Sequence, residues 1–195
     1  MKALAALALV CAAFLGACDS APKTESFQLT DVTGAPFARD FQLLDPTGKT
    51  RSLSDFKGKV VVVFFGFTHC PDACPTTLGE LARVMKELGP EAERLQVLFV
   101  TVDPERDTPE LLAKYVPAFH PSFLGLYGDA QATARTAKEF KVIYQKQNLP
   151  GGSYSMDHSA GSFIFDPAGR LRLFAQYGQS AQALLHDIRL LLKGA

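Results

Sequence analysis

The strongest constraint on the fold is an uninterrupted run of apolar residues from position 60 to position 67, rich in β-branched and aromatic side chains. A run without polar alternation predicts a strand that is covered on both faces, as in the middle of a sheet. Residues 95–102 predict a second buried strand, and residues 76–88 between the two strands place apolar side chains at helical spacing. This order predicts an α/β fold with helices on both faces of a central sheet.

The remaining elements run from an N-terminal hairpin to a C-terminal helix. Residues 41–53 predict a hairpin, and residues 162–165 and 171–174 predict a second one, which makes the central sheet mixed. Helices are predicted at 109–119, capped by Asp107 and Thr108, at 130–139 and at 180–192. Thr77 and Glu80 suit a capping box for helix 76–88, with a start nearer Pro75 as the alternative. Residues 147–159, rich in glycine and polar residues, are predicted to form a loop.

The N-terminus carries the pattern of an export signal. Lys2 precedes an apolar stretch at 3–15, which is too short to span a membrane because a spanning helix needs about 20 residues. The stretch ends in Leu-Gly-Ala-Cys at 15–18, which resembles the lipobox of bacterial lipoproteins and implies cleavage before Cys18 and acylation of it. Asp19 then favours the periplasmic face of the inner membrane in a bacterial cell envelope. An uncleaved signal anchor is the alternative.

These signals divide the chain into a signal peptide at 1–17, a polar membrane-proximal linker at 18–35 and a single folded domain at 36–195. Hydrophobic residues make up 47% of the chain, which is enough to fill a core. The 20 basic and 20 acidic residues leave no net charge, so the excess of basic residues that nucleic-acid binding requires is missing. We therefore expect a membrane-tethered domain that does not bind nucleic acid.

The folded domain contains two cysteines that are candidates for a functional site, because Cys11 lies in the predicted signal and Cys18 is the predicted lipid site. These are Cys70 and Cys74. A disulfide between them would close a small loop and stabilise the fold by only about 2 kcal/mol, which makes a purely structural role weak. A cysteine pair at the end of a central strand, opening a helix, is the thioredoxin-like arrangement. The positive end of that helix is expected to lower the pKa of both thiols, which suits metal binding and disulfide exchange equally.

His158 adds a third soft ligand. It precedes the strand at 162–165, a junction that in a thioredoxin-like fold packs beside the cysteine motif and in dithiol oxidoreductases usually carries a cis-proline. Two thiolates and one imidazole suit Cu(I) or Cu(II), whereas structural zinc normally takes a fourth protein ligand. The pattern thus favours a copper site without excluding a redox pair.

Three features together resemble the Sco/SenC family over residues 36–192: GFTHCPDACP at 66–75, TVDPERDTP at 101–109 and Asp-His-Ser at 157–159. The resemblance implies a thioredoxin-like fold of the peroxiredoxin variant, with Cys70, Cys74 and His158 as copper ligands. It also implies that the protein delivers copper to the binuclear centre of cytochrome c oxidase subunit II, or keeps that centre's cysteines reduced. The family usually has a transmembrane anchor, from which the lipobox departs.

The sequence also allows two other functions, and it allows more than one role for the residues next to the proposed ligands. A thiol–disulfide reductase would use the two cysteines without the histidine, and a thiol peroxidase is allowed only by analogy of fold. His69 is expected to be a spectator or to adjust a pKa rather than to bind metal. Asp72 is either a turn residue or a contact of the site. Asp103 and the Asp-Pro-x-x-Asp-x-Pro run at 103–109 either line the site or form a strand end and a helix cap. Asp157 either fixes the His158 imidazole or faces solvent.

Overall fold

The computed structural model describes residues 25–195, so the predicted signal peptide and Cys18 lie outside the described residues. The strands are β1 (Thr30–Asp31), β2 (Leu43–Leu44), β3 (Thr50–Arg51), β4 (Val60–Gly66), β5 (Leu95–Thr101), β6 (Leu124–Leu126), β7 (Tyr144–Asn148), β8 (Tyr154–His158), β9 (Ser162–Phe165) and β10 (Leu171–Ala175). The helices are α1 (Ala73–Leu88), α2 (Pro109–Tyr115), α3 (Ala130–Glu139) and α4 (Ala181–Leu192). Within this part of the chain, no helix combines the length and the apolar character needed to cross a membrane.

The central sheet has six strands in the order β1-β10-β9-β4-β5-β6. Strand β4 pairs in parallel with β5, from Val60 opposite Leu95 to Gly66 opposite Thr101, and pairs antiparallel with β9. Every residue of β4 and β5 is buried, as their predominantly apolar sequences predict. The predicted mixed α/β sheet is confirmed. Since β4 and β5 are parallel, the segments that follow them begin at the same edge of the sheet.

Alternation along β4 places helices on both faces of the sheet. Gly66 faces Cys74 in α1, whereas the ring of Phe65 packs 5.2 Å from the ring of Phe140, the residue after α3. The ring of Phe140 also lies within 6.5 Å of three further rings, those of Phe41, Phe163 and Phe165. Phe140 and Phe163, with four ring contacts each, are therefore together at the centre of an aromatic cluster on the face opposite α1.

Helix α1 begins at Ala73, earlier than residue 76, so Cys74 and Pro75 lie in its first turn. The predicted capping box is wrong, because Thr77 and Glu80 lie inside the helix. The Glu80 carboxylate instead accepts the backbone N–H of Ala181, at 2.9 Å, and so joins α1 to the start of α4. A proline suits this first turn because the N–H that it lacks has no partner in the helix.

The folded part begins before the predicted boundary at residue 36. Strand β1 pairs with β10, with Thr30 opposite Phe174. The buried carboxylate of Asp187 in α4 accepts the backbone N–H groups of Gln28 and Leu29, at 2.9 and 2.7 Å. The predicted linker thus overlaps an edge strand held by groups far away in sequence. A shortened protein that starts at residue 36 would lose this strand.

The predicted loop at 147–159 is wrong for most of its length. Strands β7 and β8 pair antiparallel from Tyr144 opposite His158 to Asn148 opposite Tyr154. They form a two-stranded sheet separate from the central one, and only Met156 among their residues is buried. Polar strands that lie outside the main sheet lack the apolar alternation by which strands are recognised, so the sequence resembles a loop. Helix α2 also ends before the predicted residue 119, and a 3-10 turn follows it.

Candidate metal centre

The two cysteines lie where the chain leaves β4 and enters α1. Cys70 lies in the connecting turn and is half-buried, whereas Cys74 lies in the first turn of the helix and is fully buried. The backbone N–H of Cys74 points at the Cys70 sulfur, with 3.4 Å between nitrogen and Sγ. Both cysteines are free thiols in this structure. Their sulfurs thus share one corner of the fold at the carboxyl edge of the sheet.

Gly66 makes room for the Cys74 sulfur. A Cβ atom at this position would lie 2.8 Å from Cys74 Sγ and 2.8 Å from Phe99 Cε2, closer than such atoms approach in proteins. Since Cys74 and Phe99 are both fully buried, neither can move aside without disturbing the core. The last residue of β4 is therefore a glycine because the thiol occupies the space of its side chain.

His158 approaches the cysteines from the end of β8. Its Nε2 lies 3.7 Å from Cys74 Sγ, and its Nδ1 lies 3.0 Å from the backbone carbonyl oxygen of Ser159. A carbonyl can only accept, so Nδ1–H donates and the lone pair of Nε2 points at the sulfur. The rings of Phe64 and Phe67 meet the imidazole edge-on, at 6.4 and 5.8 Å between centroids. The imidazole is thus fixed in the tautomer that a metal ligand needs.

The structure brings Cys70, Cys74 and His158 together, as the sequence predicts. Their ligand atoms all lie within 4.8 Å of one another, and within residues 25–195 no other three His, Cys, Asp or Glu side chains form such a group. Two sulfurs and one imidazole nitrogen form a soft donor set that suits copper. The residues present therefore fit this metal, and the acidic residues that a hard cation prefers are not part of the group.

Burial governs the protonation of this group. Loss of hydration raises the pKa of the Cys74 thiol, so the prediction that the helix N-terminus would lower the pKa of both thiols is wrong for Cys74. Burial also lowers the pKa of His158 below its ordinary value of 6.5. Near neutral pH the buried thiol is protonated and the imidazole is neutral. A metal ion entering this group must displace the thiol proton.

The histidine and two carboxylates nearest to the ligands in sequence have separate contacts. His69 is exposed and pairs through Nδ1 with the Thr68 hydroxyl, at 3.0 Å, outside the metal group. Asp72 accepts hydrogen bonds from Thr76 and from the hydroxyl of Tyr177 at the start of α1. Asp157 is exposed. The Nδ1 atom of His158 pairs with the Ser159 carbonyl oxygen, so Asp157 does not fix the imidazole.

Asp107 lies beside the turn that carries Cys70 and does not act as the predicted cap of α2. It is buried, and its carboxylate accepts hydrogen bonds from the Thr101 hydroxyl at 2.6 Å and from the hydroxyl and backbone N–H of Thr68. The cap of α2 is Thr108 alone. Asp107 thus ties the segment after β5 to the turn that carries Cys70. In the sequence, an aspartate two residues before Pro109 resembles a helix cap, and its burial is visible only in the structure.

The fold and this group together define a thioredoxin-like protein with two thiols and one imidazole placed to hold a metal ion. A family model described as SCO1/SenC matches residues 29–193, nearly the whole described part. The chain belongs to the SCO1/SenC family.

Curated relatives match the same region. The mitochondrial SCO2 homologue of Bos taurus is 39% identical over 153 residues, which cover 77% of this chain and 58% of the relative. A SCO2-like protein of Rickettsia felis is 36% identical over 133 residues, covering 67% of this chain and 65% of the relative. The match thus spans less than two thirds of the length of either relative.

Solved structures share the fold. Bradyrhizobium japonicum ScoI with copper bound superposes with a TM-score of 0.72 at 36% identity, covering 78% of this chain and 98% of that one. The solution structure of apo Sco1 from Thermus thermophilus gives a TM-score of 0.77 at 44% identity, covering 87% and 99%. Yeast Sco1 with copper bound gives 0.72 at 31% identity, covering 80% and 88%. Homologous Sco proteins therefore have this fold and include copper-bound forms.

Proposed function

We propose that this protein binds one copper ion through Cys70, Cys74 and His158 and delivers it to the binuclear copper centre of cytochrome c oxidase subunit II. The observation that carries the proposal is the convergence of three soft ligand atoms within 4.8 Å at one edge of the sheet. The similarity to copper-bound Sco structures supports the choice of metal, and the family resemblance supports the recipient. A tether at Cys18 would hold the domain at the periplasmic face of the inner membrane.

In this proposal the chain supplies two thiolates from one rigid corner and an imidazole from the hairpin. Two thiolates suffice for Cu(I), and the added imidazole suits Cu(II). The Ser159 carbonyl, which accepts the Nδ1 proton, keeps Nε2 available for the metal. The half-buried Cys70 gives the cargo and the recipient a way in from solvent.

The histidine gives the decisive experiment. We expect the protein with both thiols free to bind one Cu(II) ion tightly and the His158→Ala variant to bind Cu(II) about 100-fold more weakly, because the imidazole is one of three ligands that Cu(II) takes. His120→Ala is the matched control, since the His120 side chain pairs with Ser122 outside the metal group. Copper content after dialysis measures the stoichiometry, and competition with a chelator of known affinity measures the dissociation constant. Equal binding by the wild type and His158→Ala would contradict the proposal.

A thiol–disulfide reductase for exported thiols is the second candidate. It is favoured by the two free thiols, one of them accessible, at the start of α1. A Cys70–Cys74 reduction potential close to the value of about −270 mV for thioredoxin would support it. Oxidase assembly that survives His158→Ala but fails in each cysteine variant would decide for the reductase.

Copper affinity is expected to rise with pH. Burial raises the pKa of the Cys74 thiol, so binding releases its proton, and each proton released adds about a factor of ten in affinity per pH unit. His158, with its pKa lowered by burial, releases none at neutral pH and competes for protons only under more acidic conditions. Chelator competition at several pH values measures the slope. A flat profile through neutral pH would show that the metal displaces no thiol proton.

A further inference from the structure

The β7–β8 hairpin, which carries His158, lies outside the central sheet. Strands β7 and β8 pair with each other and form no ladder with the central sheet. At the base of the hairpin, the backbone N–H of Ser159 donates to the carbonyl oxygen of Ile143, at 2.9 Å, which adds one more pair to the hairpin and does not join it to the sheet. The far end of the hairpin lies where β8 begins, at Tyr154. Side-chain contacts must therefore hold the far end against the domain.

Arg106 provides such a contact at Tyr154. Its guanidinium carbon lies 3.6 Å from the centroid of the Tyr154 ring, and its Nη1 donates to the Tyr154 carbonyl oxygen at 2.8 Å. The Asp103 carboxylate, which is buried, accepts from Arg106 Nε at 2.5 Å and from the Tyr154 hydroxyl at 2.9 Å. Asp103, Arg106 and Tyr154 thus form a closed ring of contacts, which we call the hairpin clamp.

A second cation, from β7, contacts the hairpin clamp at the Tyr154 ring. The Lys146 Nζ atom lies 3.8 Å from the centroid of the same Tyr154 ring and bonds to the Glu105 carboxylate at 2.6 Å. The phenol is thus contacted by two cations, each paired with a carboxylate of the segment after β5. An arginine can stack on a ring and donate from its fork at the same time, which a lysine cannot.

The clamp holds the side of β8 that presents the metal ligand. Side chains alternate along a strand, so Tyr154, Met156 and His158 lie on the same face of β8. Tyr154 is in the clamp, Met156 is buried, and His158 points at Cys74. Asp157, on the opposite face, is exposed.

A second path joins Arg106 to the imidazole through an aromatic ring. The guanidinium carbon of Arg106 lies 5.8 Å from the centroid of Phe67, and the Phe67 ring meets the His158 ring edge-on at 5.8 Å. Arg106 therefore contacts both the strand that carries the imidazole and the ring that packs against it.

We propose that Arg106 is a positioning residue for His158: through the hairpin clamp it holds the β7–β8 hairpin against the domain, so that Nε2 stays within reach of the metal. This rests on the proposed copper function for its consequence, but the mechanical part concerns the metal-free protein. Loss of the clamp removes the imidazole and leaves the two thiols in place. Binding of Cu(II), which takes the imidazole, is then weakened more than binding of Cu(I), which two thiolates hold.

The first test uses the protein without copper. In Arg106→Gln, amide hydrogen exchange in β7 and β8 should become faster, while exchange in β4 and β5 stays as in the wild type. Arg83→Gln is the matched control, because Arg83 is an exposed arginine of α1 paired with Glu80. Unchanged exchange in the hairpin would overturn the proposal, whether or not the protein binds copper. If Arg106→Gln unfolds the whole domain, Tyr154→Ala must give the same effect confined to the hairpin.

The second test uses copper as the probe. Arg106→Gln should weaken Cu(II) binding by about 10- to 100-fold, with a changed thiolate-to-copper absorption band, and weaken Cu(I) binding by less. Arg106→Lys, which keeps the charge and loses the stacked fork, should resemble Arg106→Gln; full rescue by lysine would overturn the clamp geometry. The double variant tests whether Arg106 acts through His158. Adding Arg106→Gln to His158→Ala should cause no further loss of Cu(II) affinity. An additive loss would show that Arg106 does not act through His158. Failure of the wild type to bind copper would instead contradict the proposed function alone.

Discussion

Replacing Cys74 by serine should abolish tight copper binding, with a loss on the order of a thousandfold or more, because a hydroxyl is a hard and weakly acidic donor in place of a thiolate. Cys70→Ser should have the same effect, since a metal held by one thiolate and one imidazole lacks the soft pair. Chelator competition under reducing conditions measures the loss. Retention of wild-type affinity by either variant would exclude a site built on both sulfurs.

Cys18→Ser is the matched control for these variants. The same substitution at the predicted lipid site should leave copper stoichiometry and affinity unchanged, since Cys18 is not one of the three proposed ligands. Because Cys74 is fully buried, its serine variant also places a hydroxyl in an apolar position, at a cost of about 1–3 kcal/mol in unfolding free energy. Circular dichroism of each variant separates this cost from the loss of the ligand.

Phe140→Ala should give the largest loss of stability among single replacements in the aromatic cluster, about 3–5 kcal/mol in the free energy of unfolding. Phe140 has no exposed surface and contacts four other aromatic rings, so the truncated side chain leaves a cavity that the surrounding rings cannot fill. The midpoint of thermal unfolding should fall by about 10 °C or more in a domain of this size.

Ile143→Ala is the control for this prediction, since Ile143 is a large apolar residue close by in sequence that is 78% exposed. Its loss should change the unfolding free energy by no more than about 0.5 kcal/mol. Urea unfolding followed by circular dichroism compares the two variants. A similar, small effect of both would show that the Phe140 ring is not at the centre of the cluster.

The sequence predicts the elements that a single physical pattern determines. Strands β4 and β5 are covered on both faces and are therefore predominantly apolar, and α4 follows from apolar side chains at helical spacing. Strand β1 and the β7–β8 hairpin were missed because short or polar strands outside the core carry no such pattern. Their positions depend on groups distant in sequence, such as the Asp187 carboxylate.

The candidate site divides in the same way. The sequence names Cys70, Cys74 and His158 because cysteine spacing and a distant histidine are visible in a motif, and the structure brings the three together. The direction of the Cys74 pKa shift was missed because it depends on burial, which a local argument about the helix end does not include. The contacts of Arg106 and Asp107 could not be predicted, because they depend on how three separate segments meet.

The unequal access to the two sulfurs determines the order in which ligands can be exchanged. Cys70 is half-buried, whereas Cys74 has no exposed surface and its sulfur lies against Gly66. In the proposed transfer, an incoming ligand from another molecule would therefore replace Cys70 or the half-buried imidazole of His158 first, and Cys74 would be the last group to release the ion. Transfer in either direction would then require the buried thiolate and the other molecule to hold the metal together.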